Sequence, residues 1–336
     1  MLTGHSNFIR TIMTNRLETS ANRNLKLDNL KAILILLVVV GHFVQTGLEG
    51  SAISKGIFLF IYFFHMPLFI FTTGLVSQRI MENQTRVVTR ILSLWGLYIL
   101  MKILIFCTKL LAGREPKFLL FSEDGIPWYL FAIGVYCGLS FILKSIPIKT
   151  IFIISILTAL VCGYDNSIKD FLVLSRVFVF YPFYLLGWGI GIDGFNRIAE
   201  YLSTKGKMIT ALLGLIIIFF IIYLNIDHLY FLRPFATGRH PYAVLKENFY
   251  LGAPIRLLTY GICCLISILV IAIAPQRRVP LITTMGRRTL QIYFFHSFIY
   301  FSLWWNLGLH KQHFWMERSQ TFLAFDCSGS YMGVII

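Results

Sequence analysis

Lys31 and His42 stand eleven residues apart in a stretch otherwise almost free of polar side chains, Asp28-Asn-Leu-Lys31 at its start and Gly41-His42 near its end. On a helix turning about 100° per residue the two point the same way, about 16 Å apart along the axis. Asp28, Ile35, Val38 and Gln45 fall on that face as well. One side of the helix therefore carries a carboxylate, an ammonium, an imidazole and an amide. A histidine titrates near neutral pH; it can act as a general base or carry a group covalently. Read singly, Lys31 is also an interfacial anchor and His42 a hydrogen-bonded packing residue; the shared face favours chemistry, because a polar group inside an apolar span is costly.

A second apolar stretch carries Phe64-His65-Met66-Pro67-Leu68-Phe69 and then Thr72-Thr73-Gly74. Tyr62, His65, Phe69 and Thr72 follow helical spacing on one face, a second polar wall that could oppose the first. The plainer reading is a packing histidine and a proline kink, with the threonine hydroxyls serving the carbonyl that Pro67 leaves bare. Arg86 and Arg90 stand one helical turn apart in the segment that follows. Paired guanidinium forks suit phosphate, and positive charge there equally suits a membrane anchor. Trp128, Arg256 and His296 are weaker candidates, at the start or within later apolar stretches. Each has a structural alternative as an interface aromatic, a helix-end cation or a hydrogen-bonding residue.

The elements that must position these residues are membrane helices. Of the 336 residues 57% are hydrophobic and only 13% charged, against about 25% charged in a soluble globule, and mean hydropathy is +0.73. That excludes a water-soluble globule, a disordered chain and a collagen-like fibre. The net charge of +15 accompanies no nucleic-acid motif and fits basic membrane-flanking loops. Apolar stretches at 30–48, 56–77, 91–111, 128–143, 151–163, 171–192, 208–224, 254–274 and 289–307 predict an all-α polytopic membrane protein, a bundle of nine or ten transmembrane helices. The fifth is short. Residues 309–336, with Asp326 among them, form a tail or a defective last span. Basic residues such as Arg10, Arg16 and Arg23 before the first stretch, Arg79, Arg86 and Arg90 after the second, and Arg277, Arg278, Arg287 and Arg288 before the last place the N-terminus inside. Residues 1–29 then form a cytoplasmic segment, with no cleavable signal pattern. Cys107, Cys137, Cys162, Cys263 and Cys264 sit in apolar stretches as small fillers, and no C-x-x-C suggests a metal or redox site.

The Lys31-x10-His42 spacing, Phe64-His65-Met66-Pro67-Leu68-Phe69 with its Thr-Thr-Gly, the Trp128-Tyr129-Leu130 opening, Phe183-Tyr184-Leu185-Leu186-Gly187 and Leu290-Gln-Ile-Tyr293-Phe-Phe-His296 together resemble the acyltransferase-3 integral membrane family, in its fucose 4-O-acetylase-like branch. The resemblance runs from about residue 25 to about 300. It departs from the family in lacking a convincing tenth span and a fused esterase-like domain. It implies transfer of an acetyl group from cytoplasmic acetyl-CoA, as a substrate and with no bound cofactor or metal, to a hydroxyl of a cell-envelope sugar in a bacterial cytoplasmic membrane. His42 would then be base or acyl carrier. Asp28 and Lys31 would bind the donor or shape its approach. Arg86 and Arg90 would hold coenzyme A phosphates. Tyr62, His65, Thr72, Trp128, Arg256 and His296 would line the passage or the acceptor site. Without the resemblance, a transporter or flippase for a sugar or lipid-linked sugar explains the polar faces as well, although no paired repeat is visible.

Overall fold

The computed structural model describes residues 24–48, 50–113, 115–120, 125–168 and 170–302. The predicted tail 309–336 and all but the last residues of the 1–29 segment lie outside this range. The described residues are helical, with no strand among them. Helix α1 spans Leu25–Val44, α2 Ala52–Leu75, α3 Gln84–Leu111, α4 Trp128–Ile142, α5 Ile148–Val161, α6 Leu174–Leu202, α7 Lys205–Leu224, α8 Arg233–Thr237, α9 Gly252–Ile273, α10 Pro280–Arg287 and α11 Thr289–Phe301.

A helix lies at each predicted apolar stretch. Among the described residues, six are long and apolar enough to cross a membrane: α1, α2, α3, α6, α7 and the helix ending at Ile273. Helices α4 and α5 are apolar but shorter. The polypeptide is a multi-pass membrane protein. The burial pattern agrees with that solvent. Helix α7 is apolar all round, yet Ile209, Leu213, Ile217 and Ile221 are exposed, as expected of a helix facing lipid tails rather than water.

Helix α1 starts at Leu25, earlier than the apolar run at 30 suggests. The Asn24 side chain accepts the Leu27 N–H at 2.9 Å and so caps the free donors of the first turn. The added turn buries Lys26, which the sequence places in a basic flank. Its Nζ donates to Ser203 Oγ at 2.5 Å and to the Ala199 carbonyl at 3.3 Å, a cation seated on the C-terminal end of α6. Asn29, fully buried, donates to the Pro275 and Arg277 carbonyls at 2.8 and 2.9 Å and accepts from Thr283 Oγ at 2.7 Å. It ties α1 to α10 and to the turn before it.

The axis of the bundle is the α2–α6 pair. A Cβ on Gly74 would overlap the Tyr184 carbonyl, and one on Gly187 the Phe71 carbonyl. Only hydrogen at these positions lets the two backbones meet, the small-residue packing that membrane helices use where no water-driven force brings them together. Beyond this crossing α6 breaks at Gly191, with φ +62°. The Trp188 carbonyl near the break accepts from Gln78 Nε2 at 2.8 Å.

Candidate functional site

Helix α1 carries Lys31 and His42 at its two ends, and each opens onto a separate cavity. The first, about 310 Å³, is lined by Lys31, Met66, Thr72, Thr73, Arg90, Tyr129 and Tyr293 among others. The second, about 340 Å³, is lined by His42, Gln45, Tyr62, His65, Met66, Trp128, Tyr300 and a cationic rim. The polar residues of α1 and α2 read from the sequence border two chambers that share one lining residue, Met66.

In the Lys31 chamber, the Asp28 carboxylate is buried beneath the wall. It holds Lys31 Nζ at 3.2 Å and Arg287 Nε at 3.3 Å. Asp28 therefore sets the position of Lys31 from below and lines neither chamber. The arginine pair divides. Arg90 lines this chamber, with a buried Nε that has no hydrogen-bond partner among the described residues. Arg86 is exposed outside it, about 6 Å further along the axis of α3. The threonines differ from the expectation too. Thr72 and Thr73 hydroxyls both donate to the Phe69 carbonyl, at 2.7 and 3.1 Å; the carbonyl four residues before Pro67 is that of Phe63. Thr73 also shares a 2.8 Å hydrogen bond with the Tyr129 hydroxyl, which fixes α4 against α2.

His42 of α1, His65 of α2 and His240 line the second chamber; His296 of α11, expected to line it, is buried behind His42 instead. The His42 ring centroid lies 5.5 Å from that of His296 on α11 and 6.0 Å from that of Tyr300. His65 meets Tyr62 edge-on at 4.7 Å, and the Tyr62 hydroxyl donates to Gln45 Oε1 at 3.5 Å. His65 Nδ1 lies 2.8 Å from the Ile61 carbonyl and His296 Nδ1 3.2 Å from that of Ile292. A carbonyl only accepts, so Nδ1 carries the proton in both rings and Nε2 presents a lone pair. His296 Nε2 is buried, with no hydrogen-bond partner among the described residues. Helix α11 runs along both chambers: Tyr293 lines the first, and its hydroxyl donates to the carbonyl of Ile126, which lines the second.

Trp128 lines the His42 chamber, with the Arg176 guanidinium 4.9 Å from its ring. Arg256 does not. It is buried beside α8, donates to the Phe235 carbonyl at 2.9 Å and packs over the Phe235 and Tyr242 rings. Its place is under the segment that roofs the chamber. The sequence reading missed Lys109, Arg176, Arg233 and Arg239, which ring the same chamber. In the sequence each stands only as a loop or helix-end charge. They come from three separate segments, Lys109 on α3, Arg176 on α6 and Arg233 and Arg239 on and just after α8, and share no helical spacing, so no periodic signal joins them. Among the described residues no group of three or more His, Cys, Asp or Glu is placed to hold a metal ion.

The family model described as "Acyltransferase domain", that of acyltransferase-3, matches residues 24–327. No curated protein and no solved structure matches the chain.

Proposed function

The chain belongs to the acyltransferase-3 family and is a membrane acyltransferase, and from that premise we propose that it transfers an acetyl group from acetyl-CoA to a hydroxyl of a cell-envelope sugar. The acceptor class is a capsule, exopolysaccharide or O-antigen sugar, or its lipid-linked precursor, and the setting a bacterial cytoplasmic membrane with the N-terminus inside. Within the family we place it in the fucose 4-O-acetylase-like branch, which its Phe64-His65-Met66-Pro67-Leu68-Phe69 stretch resembles. The observation that carries the reading is the pair of chambers meeting at Met66, one with cations suited to a phosphorylated donor and one with histidines suited to deprotonating an alcohol. The family assignment does not favour the transporter alternative.

In this reading acetyl-CoA approaches the Lys31 end. Lys31 and the buried Nε of Arg90 take the donor's phosphates by charge-assisted hydrogen bonds. The thin pantetheine arm passes Thr72, Tyr129 and Tyr293 and carries the thioester to Met66. His42 lies roughly 16 Å beyond Lys31 along α1, past the middle of a hydrocarbon core about 30 Å thick. The thioester therefore has to come inward to meet the acceptor. There His42 removes the hydroxyl proton, the alcohol oxygen attacks the thioester carbon, the C–S bond breaks as the ester C–O bond forms, and the proton leaves with the coenzyme A thiolate. His65 and His296, with Nδ1 protons fixed by backbone carbonyls, offer lone pairs that keep an imidazolium at His42 or an acceptor hydroxyl in place.

The experiment is mass spectrometry of the envelope glycan from cells with and without the gene, repeated with His42→Ala. Loss of acetyl mass from one sugar in both cases, with the variant still inserted in the membrane, is the expected result. An unchanged glycan in the gene deletion would overturn the proposal.

A further inference from the structure

The His42 chamber is walled on its far side by Lys109, Arg176, Arg233 and Arg239. Their charges are unequally compensated. Asp170 binds Arg239 through both carboxylate oxygens, at 2.8 and 2.7 Å, and Arg176 at 3.2 Å. One carboxylate thus serves two guanidinium groups. Asp170 is held there by the turn that opens α6, where Leu172 and Val173 adopt φ +47° and +57°. That region is costly for such side chains, so the arrangement is enforced by its surroundings. Arg233, the first residue of α8, pairs with no acidic side chain among the described residues. Its guanidinium is half-buried and lies against the Phe58 ring at 5.5 Å and the Tyr230 ring at 5.8 Å. The Phe58 ring stacks on Tyr62 at 3.8 Å, and Tyr62 touches His65. The aromatic stack thus runs from the guanidinium to the histidines.

A half-buried guanidinium with no carboxylate beside it among the described residues is suited to take an external oxyanion. Aromatic faces orient it but do not neutralise it, and its planar fork fits the paired oxygens of phosphate or carboxylate. We infer that Arg233 binds a phosphate or carboxylate group on the acceptor, so that the acceptor is an anionic sugar whose reacting hydroxyl lies within one chamber's width of its charge. This rests on the acetyl-transfer reading for the acceptor's role, but the binding site stands on the geometry alone.

The test uses the full-length protein in detergent and in membranes, at constant ionic strength, with glucose 1-phosphate, glucuronate and methyl glucoside as probes. Thermal stabilisation of the detergent-solubilised protein reads binding independently of activity. Stabilisation by the phosphate or the carboxylate probe but not by methyl glucoside is expected, lost in Arg233→Gln and partly restored in Arg233→Lys. Which anionic probe wins separates a phosphorylated acceptor from an acidic sugar. Arg79→Gln, the same charge loss at an exposed position in the short turn beyond the C-terminal end of α2, should retain it. In membranes, Arg233→Gln should raise KM for the anionic acceptor roughly tenfold or more, as expected for losing a hydrogen bond to a charged group, with KM for acetyl-CoA unchanged. No stabilisation of the wild type by either anion, or equal stabilisation of Arg233→Gln, would overturn the inference. Anion binding without acetyl transfer to any sugar would instead overturn the acetyl-transfer reading and leave the site standing.

Discussion

Asp28→Asn isolates the ionic part of the clamp beneath the Lys31 chamber. The change keeps side-chain size and leaves the backbone contact intact, where α10 presses Gly286 onto the Asp28 carbonyl. It removes the charge that holds Lys31 at 3.2 Å and Arg287 at 3.3 Å. Breaking a fully buried pair by removing one partner costs about 3–5 kcal/mol, whereas exposed pairs contribute about 0–1 kcal/mol. Here the Asp28 side chain is 2% exposed while Lys31 and Arg287 are 21% and 30% exposed, so the stranded cations recover part of their hydration. The expected loss is about 2 kcal/mol, which lowers the thermal midpoint in detergent by a few degrees. Lys31, no longer anchored, samples other rotamers, and KM for acetyl-CoA should rise roughly tenfold, in line with one charge-assisted contact. The assay is a cycle of Asp28→Asn, Arg287→Gln and the double variant, scanned at one heating rate. Once either side of the pair is gone, the second change should cost little, giving a coupling of about 1–2 kcal/mol. Strictly additive losses, or an unchanged KM in Asp28→Asn, would refute the clamp.

Four further outcomes follow from the geometry. Replacing Arg90 by Ala should raise KM for acetyl-CoA roughly tenfold or more, while Arg86→Ala stays within about twofold because that side chain is exposed; equal effects would return both to the anchor role. His42→Ala should abolish transfer with normal membrane insertion, read as glycan acetylation against protein level. Met66→Trp should plug the junction of the two chambers and stop transfer while acetyl-CoA binding persists, whereas Met66→Ala keeps turnover; binding lost together with turnover would count against a two-chamber route. Gly187→Val should force α2 and α6 apart at a cost of about 1–3 kcal/mol or more, seen as poor expression or a lowered thermal midpoint.

The sequence by itself determined the solvent and the helices. Hydrophobic runs without charge can satisfy their backbone groups in lipid only as helices, so the stretches at 128–143, 208–224 and 254–274 match helices to within three residues, while α6 runs ten residues past the stretch that ends at 192. It also determined that Lys31 and His42 share one face, since helical geometry alone sets that angle and distance, and that Tyr62, His65 and Thr72 share another. What the sequence could not decide was the partition between helices. Asp28 and Arg287 are far apart in the chain, and only the packing of α10 on α1 makes one the counter-ion of the other. Arg90 faces a chamber and Arg86 does not, though their types and spacing treat them alike. Arg256 reads as a lining residue and is instead buried under the roof, because α8 folds back over the end of α9. The cationic ring of Lys109, Arg176, Arg233 and Arg239 has no period at all. Spacing along one helix is fixed by local covalent geometry, whereas which residues from different helices meet depends on backbone approach, and here that approach is set by hydrogen atoms at Gly74, Gly187 and Gly286.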